Sequence, residues 1–155
     1  MNGDARFEEG IERPLHLKAF DEDDLQIISS LLQDAVVPLD QITWDRRHRR
    51  LGLLINRFRW ERGADAAPER VQSVLAIEDV VSVASQGVRP GDAEDVSSIL
   101  AIQFEPGEDG AGRVVLVLAG DGAIAARVEA LEITLKDVTR PYEAPSGSRP
   151  NHDLA

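Results

Sequence analysis

The sequence predicts an α+β domain in which a mostly antiparallel β sheet of seven to eight strands, curled into a half-barrel or sandwich, packs with one N-terminal amphipathic helix. Three observations carry this expectation. Residues 113–138, RVVLVLAGDGAIAARVEALEITLKDV, form the longest apolar-rich run and hold the clearest turn signal. Residues 21–36 combine a capping acid with apolar side chains at helical spacing. Elsewhere, short apolar runs alternate with Gly, Pro and Asp clusters, as strands joined by turns do.

Within the long run, residues 114–119 are rich in β-branched side chains, and Gly120-Asp121-Gly122 offers positive-φ residues at hairpin spacing. If Asp121-Gly122 is the turn, Val117 opposes Ala126 and Val115 opposes Val128. Val115, Val117, Ala119, Ile124, Ala126 and Val128 then share one apolar face. Beyond Val128 the apolar set moves to odd positions, Leu131, Ile133 and Leu135. A strand keeps a period of two, so Glu129-Ala130 is expected to be a bulge or bend that re-aims it. Ile124, Val128, Leu131 and Leu135 also fit a helical stripe. The turn, the Ile133-Thr134 pair and the absence of a capping Ser, Thr or Asn favour the strand.

In chain order, residues 1–13 are polar and expected to be disordered. A single globular domain spans 14–138, and 139–155, rich in Pro, Ser and Gly, is expected to be a flexible tail. Leu15 to Phe20 alternates as a short strand. Asp21 is placed to cap a helix, Glu22, Asp23 and Asp24 put negative charge in its first turn, and Phe20 and Leu25 stand at the positions of a hydrophobic staple. Leu25, Ile28, Leu32 and Ala35 form the stripe expected to be buried, Leu31 and Val36 widen it, and Pro38 ends the helix. Further strands are expected at 41–44, 50–60, 71–77, 80–85 and 98–104.

A chain of 155 residues is long enough to bury roughly two thirds of its unfolded surface. It has no Cys, which excludes disulfides and thiolate chemistry. No run approaches the ~18 apolar residues of a membrane span, and the acidic start is no secretory signal, so a cytoplasmic protein is expected. A net charge of −11 opposes anionic membranes and makes nucleic acid an unfavoured partner.

Seven of the 17 basic residues fall in one stretch: Arg46, Arg47, Arg49, Arg50, Arg57, Arg59 and Arg62. With His48, and with Trp44, Phe58 and Trp60 nearby, the first six are the candidate binding residues, suited to an acidic protein partner. The plainer reading is a solvated hairpin tip and strand face balancing an acidic protein. Nothing implies a cofactor or a metal. His16, His48 and His152 are scattered, Asp92, Glu94 and Asp95 lack the alternation of a calcium loop, and no Ser or Thr sits in a nucleophile elbow. An interaction or scaffold module is therefore favoured over an enzyme or small-ligand binder, and the oligomeric state stays open.

Several ordered stretches carry a family resemblance: LLQDAVV (31–37), INRFRWE (55–61), SVASQGV (82–88), LAIQFEPGE (100–108) and LAGDGAIAARVEALEITLKDV (118–138). Together they resemble the family called domain of unknown function 2948, over roughly residues 15–138. The resemblance implies a bacterial cytoplasmic protein and transfers no catalytic or binding residue.

Overall fold

The computed structural model of the protein describes residues 14–144. The chain is α+β, with one α-helix and eleven strands among the described residues. The strands are β1 (His16–Ala19), β2 (Val36–Pro38), β3 (Ile42–Asp45), β4 (Arg50–Phe58), β5 (Glu69–Ile77), β6 (Val80–Gln86), β7 (Val96–Pro106), β8 (Gly112–Leu118), β9 (Ala123–Val128), β10 (Ile133–Asp137) and β11 (Tyr142–Glu143); the helix, α1, is Glu22–Leu31. They form one open antiparallel sheet in the order β1-β10-β5-β4-β2-β7-β8-β9-β6, with β11 added to β5 and β3 to β4. Seven to eight strands were too few because the short β2 and β11 have too little pattern to be read and the run after Gly120-Asp121-Gly122 is two strands, β9 and β10, not one. β3 is the strand expected at 41–44, and a single hydrogen-bonded path replaces the sandwich.

Helix α1 packs against both β1 and β7, which stand five strand spacings apart in the sheet. At about 4.8 Å per spacing a flat sheet would separate them by roughly 24 Å, twice the width of a helix. The sheet therefore curls, and its concave face holds one core that includes Leu53 and Ile55 of β4, Leu75 of β5, Leu116 of β8 and Leu135 of β10.

Asp21 caps α1 as its chemistry demands, its Oδ1 accepting from the Asp24 N–H at 2.8 Å. Leu25, Ile28 and Leu32 are buried along one side, whereas Ile27 is 57% exposed. Phe20 is 59% exposed, so no staple covers it. The helix stops well before Pro38. Asp34 takes a left-handed φ of 64°, and β7 captures the chain that follows: Asp34 N–H donates to the Ile99 carbonyl and Ile99 N–H to the Ala35 carbonyl, both at 2.8 Å. The β-branched Val36-Val37 pair, with Val37 held extended by the following proline, prefers this strand to another helical turn.

Because Ile28 is 1% exposed and Gln26 lies on the solvent side, Ile28→Ala is expected to cost ~2–5 kcal/mol and Gln26→Ala almost nothing. Urea denaturation compares the two, and equal midpoints would mean that α1 is not docked on the sheet.

Residues 123–128 and 133–137 are strands rather than a helix, as expected, but the hairpin register differs. Leu118 N–H donates to the Gly122 carbonyl at 2.8 Å, closing a three-residue loop in which Gly120 and Asp121 have φ of 72° and 64°. A three-residue loop pairs even positions with even: Leu116 opposes Ile124 and Val114 opposes Ala126. The buried set on β8 is consequently Val114, Leu116 and Leu118 rather than Val115, Val117 and Ala119. Nor is 129–130 a bulge within one strand. The chain leaves β9 there and crosses to β10 in the other half of the sheet, between β1 and β5.

Past Val138, Tyr142 and Glu143 pair with Arg70 and Glu69 of β5, and Ala144 is buried. The remainder of the two expected ends, 1–13 and 145–155, lies outside the described residues.

Candidate interaction surface

The arginine-rich stretch occupies the β3–β4 hairpin, with Asp45 paired to Arg50 and Trp44 to Leu51 below the turn 46–49. Asp45 organises that turn. Its Oδ1 accepts from the His48 N–H at 3.2 Å, and its Oδ2 stands 2.8 Å from His48 Nδ1. The imidazole contact and then the backbone N–H hold the Asp45 carboxyl below its ordinary range, keeping it charged. Arg49 closes the turn at a φ of 55°.

The sheet divides the six candidate arginines into three kinds. Arg46 and Arg47 are exposed at the tip, and neither pairs with a carboxylate among the described residues. Arg49 and Arg50 are half engaged: Arg49 Nη2 lies 2.8 Å from Glu129 Oε1, in charge contact without an aligned hydrogen bond, while Arg50 Nε donates to both oxygens of Glu78 at 2.9 and 2.6 Å. The Glu78 hydrogen bond and charge raise the Arg50 pKa. His48 is exposed beside them.

Arg57 and Arg59 are buried and lie apart from the tip. On β4 the odd positions face the core, so Arg57 continues the row of Leu51, Leu53 and Ile55 and is fully buried. Two carboxylates grip its guanidinium. Nη1 and Nη2 donate to Glu61 at 3.0 and 2.9 Å; Nε and Nη2 donate to Asp137 at 3.1 and 2.9 Å, and Nε also reaches Ser73 Oγ at 3.2 Å. Ser73 Oγ donates to Asp137 at 2.6 Å, and the Leu15 N–H donates to Asp137 at 2.9 Å. Burial works against every charge here. For Arg57 the hydrogen bonds with Glu61 and Asp137 outweigh it and raise the pKa; for Asp137 the bonds from Arg57, Ser73 and Leu15 outweigh it and lower the pKa; for Glu61, Arg57 does the same. Arg59 donates to Glu69 at 2.8 Å, and Arg62 also pairs with Glu69.

A guanidinium whose edges are already matched by two carboxylates has little left for a ligand. Arg57 closes one end of the core and ties β4, β5, β10 and the start of β1 together. Sequence alone could not separate it from Arg46, because a run of arginines carries no sign of which strand face each occupies until the register is known. Its partners are equally silent: Asp137 is the last residue of the apolar β10, and Ser73 stands midway along β5.

Above the hairpin a cleft of about 430 Å³ opens between Trp44, Arg46 and Arg49 on one side and Val80, Val81 and Val83 of β6 on the other. Sequence reasoning missed this neighbour. The available signal was VVSVASQ, a strand with neither charge nor proline.

Among the described residues, no group of three or more His, Asp or Glu is placed to hold a metal ion, and no helix is long and apolar enough to cross a membrane. A family model described as "Protein of unknown function (DUF2948)" matches residues 15–152, and the chain belongs to that family. No curated protein and no solved structure matches it.

Proposed function

We propose that this member of the DUF2948 family is a small cytoplasmic protein-interaction module whose β3–β4 tip recognises an acidic protein partner. The observation that carries the reading is the unequal use of the arginines. Arg46 and Arg47 stand exposed on a turn braced by Asp45 and lack carboxylate partners among the described residues, in a chain of net charge −11 where acids are plentiful. A positive tip on an otherwise acidic molecule attracts an anionic segment locally and repels a long polyanion along its length.

The test is binding of a mixed pool of octapeptides with Glu at every second position, measured by fluorescence anisotropy against a pool with Gln in those places. Wild type is expected to prefer the acidic pool, to lose at least tenfold in affinity between 50 and about 500 mM salt as the charges are screened, and to lose it in Arg46→Glu/Arg47→Glu. The melting temperature of that variant should be nearly unchanged, since exposed charges contribute little to folding. Equal binding of both pools, or salt-sensitive binding of random single-stranded oligonucleotides lost in the same variant, would contradict the reading.

A further inference from the structure

We infer that the acidic partner binds as an added β-strand along the open edge of β6, with its acidic residues at the arginine tip; this rests on the reading above and specifies how the partner is held. The sheet has two ends in its pairing order, β1 and β6. β1 has four residues, carries Lys18 and lies under α1. The stretch of β7 left unpaired beyond β2 is likewise closed by α1, whose Ser29 Oγ accepts from the Ile102 N–H at 3.0 Å. β6 is different. It has seven residues, VVSVASQ, without the charges or proline that usually blunt an edge, and Val81 is 49% exposed.

The pairing shows which backbone groups of β6 point outward. The Leu118 to Gly122 bond places even positions of β8 and β9 opposite each other in hydrogen-bonded pairs, so odd positions of β9 face β6. Ala123 and Ala125 are opposite Gln86 and Ala84, which therefore bond to β9, and Val83 and Ser85 turn their N–H and C=O to the open edge. The same alternation sends the Ile102 N–H away from β8, as its bond to Ser29 shows.

The first rung on that edge is already filled. The Val80 N–H donates to the Arg49 carbonyl at 2.8 Å, just before the register shift between Val80 and Ser82. The hairpin turn thus sits where an added strand would begin. A segment bonded to Val83 and Ser85 runs into the cleft beside Trp44, with its end against Arg46 and Arg47. Backbone bonds along β6 supply affinity without regard to sequence, and the guanidinium groups select acids at that end.

Two measurements test this on the intact protein. In hydrogen exchange, the amides of Val83 and Ser85 are expected to exchange quickly in the free protein and to slow at least tenfold when the acidic octapeptide pool is bound. In anisotropy, N-methylation of alternate residues should weaken the octapeptides at least tenfold in one parity and not in the other, because only one set of peptide N–H groups faces β6. Tip-dependent binding in which both N-methylated sets bind like the parent, with Val83 and Ser85 unprotected, would overturn strand addition and leave tip recognition standing. No binding by the unmodified pool would overturn both. A concentration-dependent dimer in sedimentation that protects the same two amides without peptide would assign the edge to a second copy and overturn the proposal.

Discussion

Asp137→Ala is expected to destabilise the fold by about 3–5 kcal/mol, the range for breaking a buried ion pair by removing one partner. The loss follows from what remains. Arg57 is fully buried and would keep Glu61 on one edge and, for Nε, only the 3.2 Å contact with Ser73 Oγ on the other, while one N–H of Nη2 faces a void; the Leu15 N–H and the Ser73 hydroxyl would lose their acceptor as well. Arg57→Met is expected to be comparably costly, since it strands Asp137 at 7% exposure. The double variant Arg57→Met/Asp137→Leu should be more stable than either single variant, because it removes the buried charge that each single variant strands. Urea denaturation of the three decides it, and near-silent single variants would mean that the network is not buried as described.

The same network sets an acid limit. The folded pKa of Asp137 lies below its ordinary 3.8 and that of Glu61 below 4.5. The folded state therefore binds fewer protons than the unfolded chain in this window, and stability rises with pH. The contribution is complete above about pH 5 and is lost as pH falls through the depressed folded values. The double variant should show a flatter fall in urea midpoint than wild type as the pH is lowered from about 5 to about 3.

The second large effect concerns Gly112, the first residue of β8. A Cβ built there would lie 2.5 Å from the Glu105 carbonyl oxygen and 2.6 and 2.7 Å from Cζ and Cε1 of Phe104. The aromatic ring can swing aside. The carbonyl belongs to β7, directly across the hairpin, and moves only if the strands part. Gly112→Ala is expected to cost about 1–3 kcal/mol as an overpacked site. Gly52 in β4 is the control: a Cβ added there would meet nothing within 4 Å, and its φ is not left-handed. Gly52→Ala should be neutral or stabilise by up to about 1 kcal/mol, because it restricts the unfolded chain. Thermal melts of the pair would contradict this packing if the two substitutions had equal effects.

The elements legible in the sequence are those written in local chemistry. The Asp21 cap with its acidic first turn, the apolar runs of β4, β5 and β8, and the Asp45-to-Arg50 turn depend on residues within a few positions of one another. Register was not legible where one residue of loop length decided it: Asp121 could open a two-residue turn or close a three-residue one, and the difference exchanged the two faces of β8. Strand order was not legible either. The change of phase after Val128 is plain in the sequence, but only the sheet reveals that β9 and β10 belong to opposite halves.

The candidate site follows the same division. The arginine run is visible in the sequence, and its exposed tip, Arg46 and Arg47, is where a turn would place it. The separation of Arg57 and Arg59 from that tip depends on carboxylates distant in the chain, Asp137 foremost. The open edge of β6 depends on a sheet order that no local signal encodes.

The division between a binding tip and a folding core among these arginines is tested most directly by one measurement: the melting temperature of wild type, Arg46→Glu/Arg47→Glu and Arg57→Met, each with and without the acidic octapeptide pool. The tip variant should melt with wild type and lose the peptide-induced rise, because a ligand stabilises only a state that binds it. Arg57→Met should melt well below wild type and keep that rise. A tip variant that melts as low as Arg57→Met, or a folded Arg57→Met protein that no longer responds to peptide, would contradict the account.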